Sequence, residues 1–333
     1  MTIGEYKSRK AKTNKETAKQ VQDKLRKVRV MYLKATKRIN RVVSRLPGGT
    51  LSASNRDKIV NATDRLDLYK EITGYIDDGR KAVIKSAFDV DREYVEDAFK
   101  DAGKTVDLSA MFDRQAERID KNYRTVNSTM EWLSPAIVKN RAVYSLSSSV
   151  WDAIDGFSDK ILAIIQAELD AGTDPVRITR ILEEYLASGA EKVLGRWNDL
   201  KIGTPEYRKR LGTKGADYRT QRVVRTEMYS ARRDADIQSG RMNPGATGMF
   251  TWNLSPFHNH CDKCADRASG GEYTAEQIQA MNDSTHSNCG CYCQPVLQDR
   301  DTFVQSLRDY VRGDETPGAA EIDAWASKYG FTE

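Results

Sequence analysis

Every cysteine and histidine of the chain lies within one short window. The five cysteines (Cys261, Cys264, Cys289, Cys291, Cys293) and the three histidines (His258, His260, His286) fall between positions 258 and 293 of 333. Cys261-x-x-Cys264 is followed, after 21 residues, by His286-x-x-Cys289-x-Cys291. Two close-set soft ligands on each side of a small intervening element suit one tetrahedral zinc ion. An odd cysteine count in a chain assembled in a reducing cytosol argues against a disulfide framework. The spacing predicts Cys261 and Cys264 as ligands together with two of His286, Cys289 and Cys291, and leaves open which four bind. His258, His260 and Cys293 are spare. A thiolate-rich set makes a closed, electronically quiet metal, so the ion is expected to be structural.

The elements that must position these residues can be read around them. Met249 to Leu254 alternates as a strand, Gly270-Gly271 marks a turn, and Thr274-Ala275-Glu276-Gln277 has capping-box spacing for a short helix carrying Ile278 and Met281. Cys289 to Val296 is expected to return as a strand. Upstream, a helix over about 216 to 239 places Val224, Met228, Ala231 and Ala235 on one face and Arg219, Arg222, Arg225 and Arg232 on another, with Gly240 as its stop. Residues 201 to 215, with three glycines and a proline, read as a loop. Residues 56 to 200 read as helical nearly throughout. Ile59, Ala62, Leu66, Tyr69, Ile72 and Ile76 form one stripe, and Phe112, Ala116, Ile119, Tyr123, Val126, Met130 and Leu133 form another. Further helices are expected over about 158 to 171, after Thr173-Asp174-Pro175, near Phe303 to Val311, and around Trp325.

Charge is distributed unevenly. Residues 1 to 45 carry 15 lysines and arginines against three acids, whereas the whole chain nets only +5. Val21, Leu25, Val28, Tyr32, Ala35, Ile39 and Val42 alternate four and three residues apart, the seam of a heptad-patterned helix. The pattern predicts a basic helical arm that packs along its seam, on another protein or on a second copy, and meets a polyanion elsewhere. The candidate DNA-binding residues are Lys10, Lys12, Lys19, Lys24, Arg26, Lys27, Arg29, Lys34, Lys37, Arg38 and Arg41. With so few aromatics, binding to double-stranded DNA would be independent of sequence. The longest apolar run, Ile161 to Ile165, is too short to cross a bilayer. The start of the chain lacks the apolar core of a secretory leader, which predicts folding in a reducing cytosol. No glycine-rich phosphate loop is present, which excludes a P-loop ATPase.

One ordered set of residues resembles a known family. Arg222-Val223-Val224-Arg225-Thr226-Glu227, then Ala231, Trp252, Cys261-Asp262-Lys263-Cys264, Gly270-Gly271, and His286-Ser287-Asn288-Cys289-Gly290-Cys291 with Pro295 resembles the tailed-phage minor head protein family, also called phage Mu F-like or head morphogenesis proteins. The resemblance covers about residues 216 to 298. Ser287 stands where the family commonly has proline, and Gly290 where it has arginine. It implies a low-copy virion protein of the phage head near the portal vertex, without enzymatic activity, whose partners are the portal protein, other head proteins and phage DNA. The alternative is a metal-dependent nuclease or toxin-like enzyme, with Glu227 as a conceivable base. The fold expected is mainly α with a small α+β module: a basic arm over 1–45, a helical domain over 46–215, the Mu F-like module over 216–300 and a helical tail over 301–333.

Overall fold

Heptad spacing at the start of the chain does make a helix, and its apolar seam is buried within the protein itself. In a computed structural model, which describes residues 1–128, 141–256 and 261–331, the chain is mainly helical with one small sheet. Helices α1 (Ile3–Val43), α2 (Ala53–Thr63), α3 (Arg65–Asp101), α4 (Ser109–Ser128), α5 (Arg141–Asp170), α6 (Pro175–Ser188), α7 (Ala190–Asp199), α8 (Pro205–Leu211) and α9 (Tyr218–Met242) precede strand β1 (Ala246–Asn253). Helix α10 (Asp262–Ser269), strand β2 (Glu272–Thr274), helix α11 (Ala275–Asp283), strand β3 (Tyr292–Leu297) and helices α12 (Arg300–Arg312) and α13 (Pro317–Tyr329) complete it. None of the described helices is long and apolar enough to cross a membrane.

Contacts group the chain into two discontinuous units rather than four consecutive blocks. The first comprises residues 1–21, 77–133 and 225–333, and the second 22–76 and 134–224. Helices of 41, 37 and 25 residues (α1, α3 and α9) each contribute residues to both units, so no cut along the sequence separates them.

The described residues of the second unit form helices and their connections, with no strand. Val28, Tyr32, Ala35 and Ile39 of α1 are fully buried, as are Ile154, Phe157, Ile161 and Ile165 of α5. Tyr32 lies 4.5 Å from the Phe157 ring and its hydroxyl is 2.6 Å from Thr220 Oγ1. The expected seam is therefore apolar and buried, with Val28 and Tyr32 in the core of this unit. Helix α5 begins well before position 158, because Val150, Ala153 and Phe157 extend the same buried stripe upstream. Asp174 caps α6 through Val176 N–H at 2.9 Å, with Pro175 at its first position. The segment 201–215, expected as a loop, holds α8, capped by Thr204 and anchored by buried Leu211. Glu168 is buried on α5 and accepts from Arg196 at 3.0 Å, Trp197 Nε1 at 3.0 Å and Thr173 at 2.8 Å.

In the first unit the sheet has the order β2-β1-β3 and is antiparallel throughout. Phe250 pairs with Tyr273 on one side and Pro295 on the other, and Trp252 pairs with Cys293. Helix α9 approaches this sheet at Gly240 and runs on to Met242, so Gly240 is not its stop. A Cβ at Gly240 would stand 2.7 Å from Phe250 Cε1 and 2.9 Å from Pro295 Cβ; the glycine lets helix and sheet approach. Trp325 of α13 closes the C-terminal helices by donating to Met242 O at 2.7 Å. In the second predicted stripe, Phe112 and Ala116 are buried on α4, while Met130 and Leu133 lie outside the described residues.

Candidate metal centre and cationic helix

A short polar helix that hydropathy does not reveal sets the first two sulfurs. Cys261 is the N-cap of α10, and its carbonyl accepts from Cys264 N–H at 2.9 Å and Ala265 N–H at 3.1 Å. One helical turn thus brings Cys261 and Cys264 side by side at the N-terminus of α10. The second ligand segment follows α11, which carries the expected capping box of Thr274 and Gln277. Asn288, with φ of 68°, turns the chain back, and its N–H donates to Thr226 Oγ1 of α9 at 3.1 Å. Phe250, Trp252, Ala275, Ile278 and Ile237 form the apolar cluster into which Cys264, Cys289, Cys291 and Cys293 are buried.

The donor atoms converge on Cys264. Its sulfur lies 3.2 Å from His286 Nε2 and 3.6 Å from Cys289 Sγ. Two triads, Cys261–Cys264–His286 and Cys264–Cys289–Cys291, each keep their donor atoms within 4.8 Å of one another. Donors bound to one tetrahedral ion at zinc distances stand about 3.3–3.8 Å apart, so the separations at Cys264 suit metal binding, whereas a disulfide needs about 2.05 Å. All five cysteines are free. His286 Nδ1 is 2.9 Å from Ser287 O; a proton held there leaves Nε2 with its lone pair toward Cys264. These residues can hold a metal ion. Cys293 joins neither triad: it is buried on β3 opposite Trp252. His258 and His260 lie outside the described residues.

Burial, with Cys289 beside it, pushes the Cys264 thiol up to about 12. A hydrogen bond with Cys289, then burial, raises Cys291, and burial raises Cys293. An acid whose folded pKa exceeds its unfolded value, about 8.5 for a thiol, contributes stability below the unfolded value that is lost as pH climbs toward the folded one. The metal-free chain is therefore expected to lose stability progressively above about pH 8.5, through the shift at Cys264. With the thiolates bound to an ion this loss should shrink. Melting curves between pH 7 and 10, with and without chelator, measure both, and parallel curves would refute the assignment.

Sequence reasoning missed the residues that brace this site. Arg233, only 2% exposed, donates to Asn282 Oδ1 at 2.6 Å and to the carbonyls of Cys289 and Cys291 at 3.0 and 3.1 Å. Nothing in the run Arg232-Arg233 distinguishes a buried from a solvated arginine. Glu227 pairs with Arg80 on α3, an engagement that does not suit a free base.

The basic helix divides by burial. Lys10 is fully buried and donates to Asp91 Oδ2 at 2.7 Å and Asp236 Oδ1 at 3.0 Å, which removes it from the phosphate-facing set. Lys12, Lys19, Arg26, Lys27, Arg29, Lys34, Lys37 and Arg41 are exposed, and Lys24 and Arg38 half-buried. Lys27 pairs with Asp23, Arg29 donates to Ala187 O, and Arg38 to Ala62 and Thr63 O. At 3.6 residues per turn, Lys12, Lys19, Arg26, Lys34, Lys37 and Arg41 fall within about 80° of arc, opposite the buried seam. Comparison of the chain with protein-family models, curated proteins and solved structures finds no match.

Proposed function

We propose that this chain is a structural minor head protein of a tailed phage, acting near the portal vertex in head assembly and in DNA packaging or ejection. Its support is the meeting of motif residues far apart in sequence. Thr226, from the Arg-Thr-Glu segment, bonds the backbone of Asn288 within the His-x-x-Cys-x-Cys segment, and Trp252 packs in one cluster with Cys264, Cys289 and Cys291. In this reading the ion is zinc, since thiolates with one imidazole in a closed setting are its usual structural ligands. When bound, it staples α10 to the loop before β3 and performs no chemistry. The protein is not an enzyme. Imaging of virions that encode the chain, with the protein labelled, tests the reading: density at the portal vertex is expected, and absence from the particle overturns it.

The DNA contact belongs to the cationic stripe of α1. Only one flank of a straight helix can touch a duplex, so on the order of five phosphate contacts are expected, with a log–log salt slope of about −4 to −5. Because the seam is part of the core, removing the helix would disrupt folding, and surface substitutions make the better test. Replacing Arg26, Lys34 and Lys37 together by alanine should bring the slope to roughly −2, with equal effect on unrelated DNA sequences. Fluorescence anisotropy over a salt series measures this, and an unchanged slope would show that the stripe is merely solvated.

A further inference from the structure

Two buried guanidiniums border the cysteine cluster with only neutral acceptors. Arg233 of α9 and Arg267 of α10 are 2% and 8% exposed, and lie 5.8 and 4.9 Å from the Trp252 ring centre. Arg233 donates to Asn282 Oδ1 and to the backbone carbonyls of Cys289 and Cys291. Arg267 donates to Thr285 Oγ1 at 3.0 Å and Ser284 Oγ at 2.9 Å. Neither forms an ion pair among the described residues. One carboxylate, Asp234, is linked to Arg233 through Asn282, whose Nδ2 donates to it at 2.5 Å; Gln279 and Tyr123 also donate to it.

A buried cation is costly without a countercharge. Among these three bonded groups, two guanidiniums against one relayed carboxylate leave one positive charge in excess. A divalent ion held by three thiolates and one imidazole carries one net negative charge; two thiolates and two imidazoles would leave it neutral. We infer that the metal centre is anionic, built from His286 and three of the four thiolates at positions 261, 264, 289 and 291, and that Arg233 is its positioning residue. Arg233 acts twice. Its Nη1 donates to the carbonyls of both Cys289 and Cys291, and its charge offsets that of the metal–thiolate group. Sets in which His258 or His260 displaces a thiolate are disfavoured, since they would leave the excess charge unmatched.

The inference rests on the metal reading, and the test separates the two. The full-length protein is stripped of metal and loaded with cobalt(II); near-ultraviolet sulfur-to-cobalt absorption counts thiolates, and chelator competition gives affinity. An intensity for three thiolates is expected. Arg233→Met should weaken cobalt binding about 10- to 100-fold, the range for partners that orient ligands, and move the charge-transfer band to lower energy. Arg233→Lys should recover most of the affinity by restoring charge. Arg267→Met, which leaves the two carbonyls clasped, should shift the band in the same direction and decides the matter if Arg233→Met does not fold. Failure of the wild-type chain to bind cobalt overturns the metal reading and this inference together. Binding with a two-thiolate spectrum, or with band and affinity unmoved in Arg233→Met and Arg267→Met, overturns the inference alone. Weakening that lysine does not relieve overturns the countercharge and leaves only a structural brace.

Discussion

Cys264→Ser is expected to empty the metal centre and to destabilise the surrounding sheet and helices more than any other single change at the site. Cys264 is the one residue common to both donor triads, so its loss breaks each of them. Its sulfur is also fully buried in the apolar cluster, where a serine hydroxyl would have to find a partner. Metal content should fall from about one ion per chain to none, with a loss of roughly 4 kcal/mol or more, the range reached when a structural metal is removed. Cys293→Ser supplies the contrast. It buries a hydroxyl in the same core at a cost of about 1–3 kcal/mol, yet should retain the ion, because Cys293 belongs to neither triad. Elemental analysis with denaturant unfolding of both variants checks the pair. An ion kept by Cys264→Ser would show that Cys264 is not a required ligand.

Much of this module was legible because its signals are local. The capping box at Thr274, the Cys-x-x-Cys spacing and the alternation through Phe250 and Trp252 depend on neighbours within a turn or a strand. What was not legible depends on partners distant in sequence. Helix α10 is polar on most positions, and buried Cys264 and Arg267 acquire their apolar setting from β1 and α11. Gly240 has the look of a helix stop, but its lack of a side chain serves Phe250 and Pro295, 10 and 55 residues further on. The heptad seam of α1 was correctly apolar, whereas what covers it could not be read from period alone, since a core and a partner helix require the same spacing. The elements not expected, helices α8 and α10 and strand β2, are all short, and a few residues carry too little periodicity to stand out.

Asp91→Ala should be among the most damaging substitutions in the first unit, and it explains why one lysine of the basic helix is not like the others. Asp91 is fully buried on α3 and accepts from Tyr6 at 2.7 Å, Lys10 at 2.7 Å, Ser239 at 2.6 Å and Asn243 at 3.0 Å. Asp236 completes the group by pairing with Lys10 at 3.0 Å and with Arg232 through two bonds at 2.9 and 3.0 Å. Two cations face two anions, all buried, so removing one carboxylate leaves an uncompensated charge and several donors without acceptors. A loss of about 3–5 kcal/mol is expected. Lys10→Met should cost a similar amount by leaving two carboxylates to share Arg232. Lys10→Met combined with Asp91→Asn restores charge balance around the Arg232–Asp236 pair, so this double variant should be more stable than the losses of Lys10→Met and of Asp91→Asn alone, added together, with a coupling of about 2–3 kcal/mol. Denaturant unfolding of the four proteins measures the cycle; additivity would mean that the network is not a unit. The same variants test the division of the basic helix. At temperatures where both stay folded, Lys10→Met should leave the salt slope of DNA binding unchanged while Lys37→Ala reduces it by about 0.9, because only the second side chain can reach a phosphate.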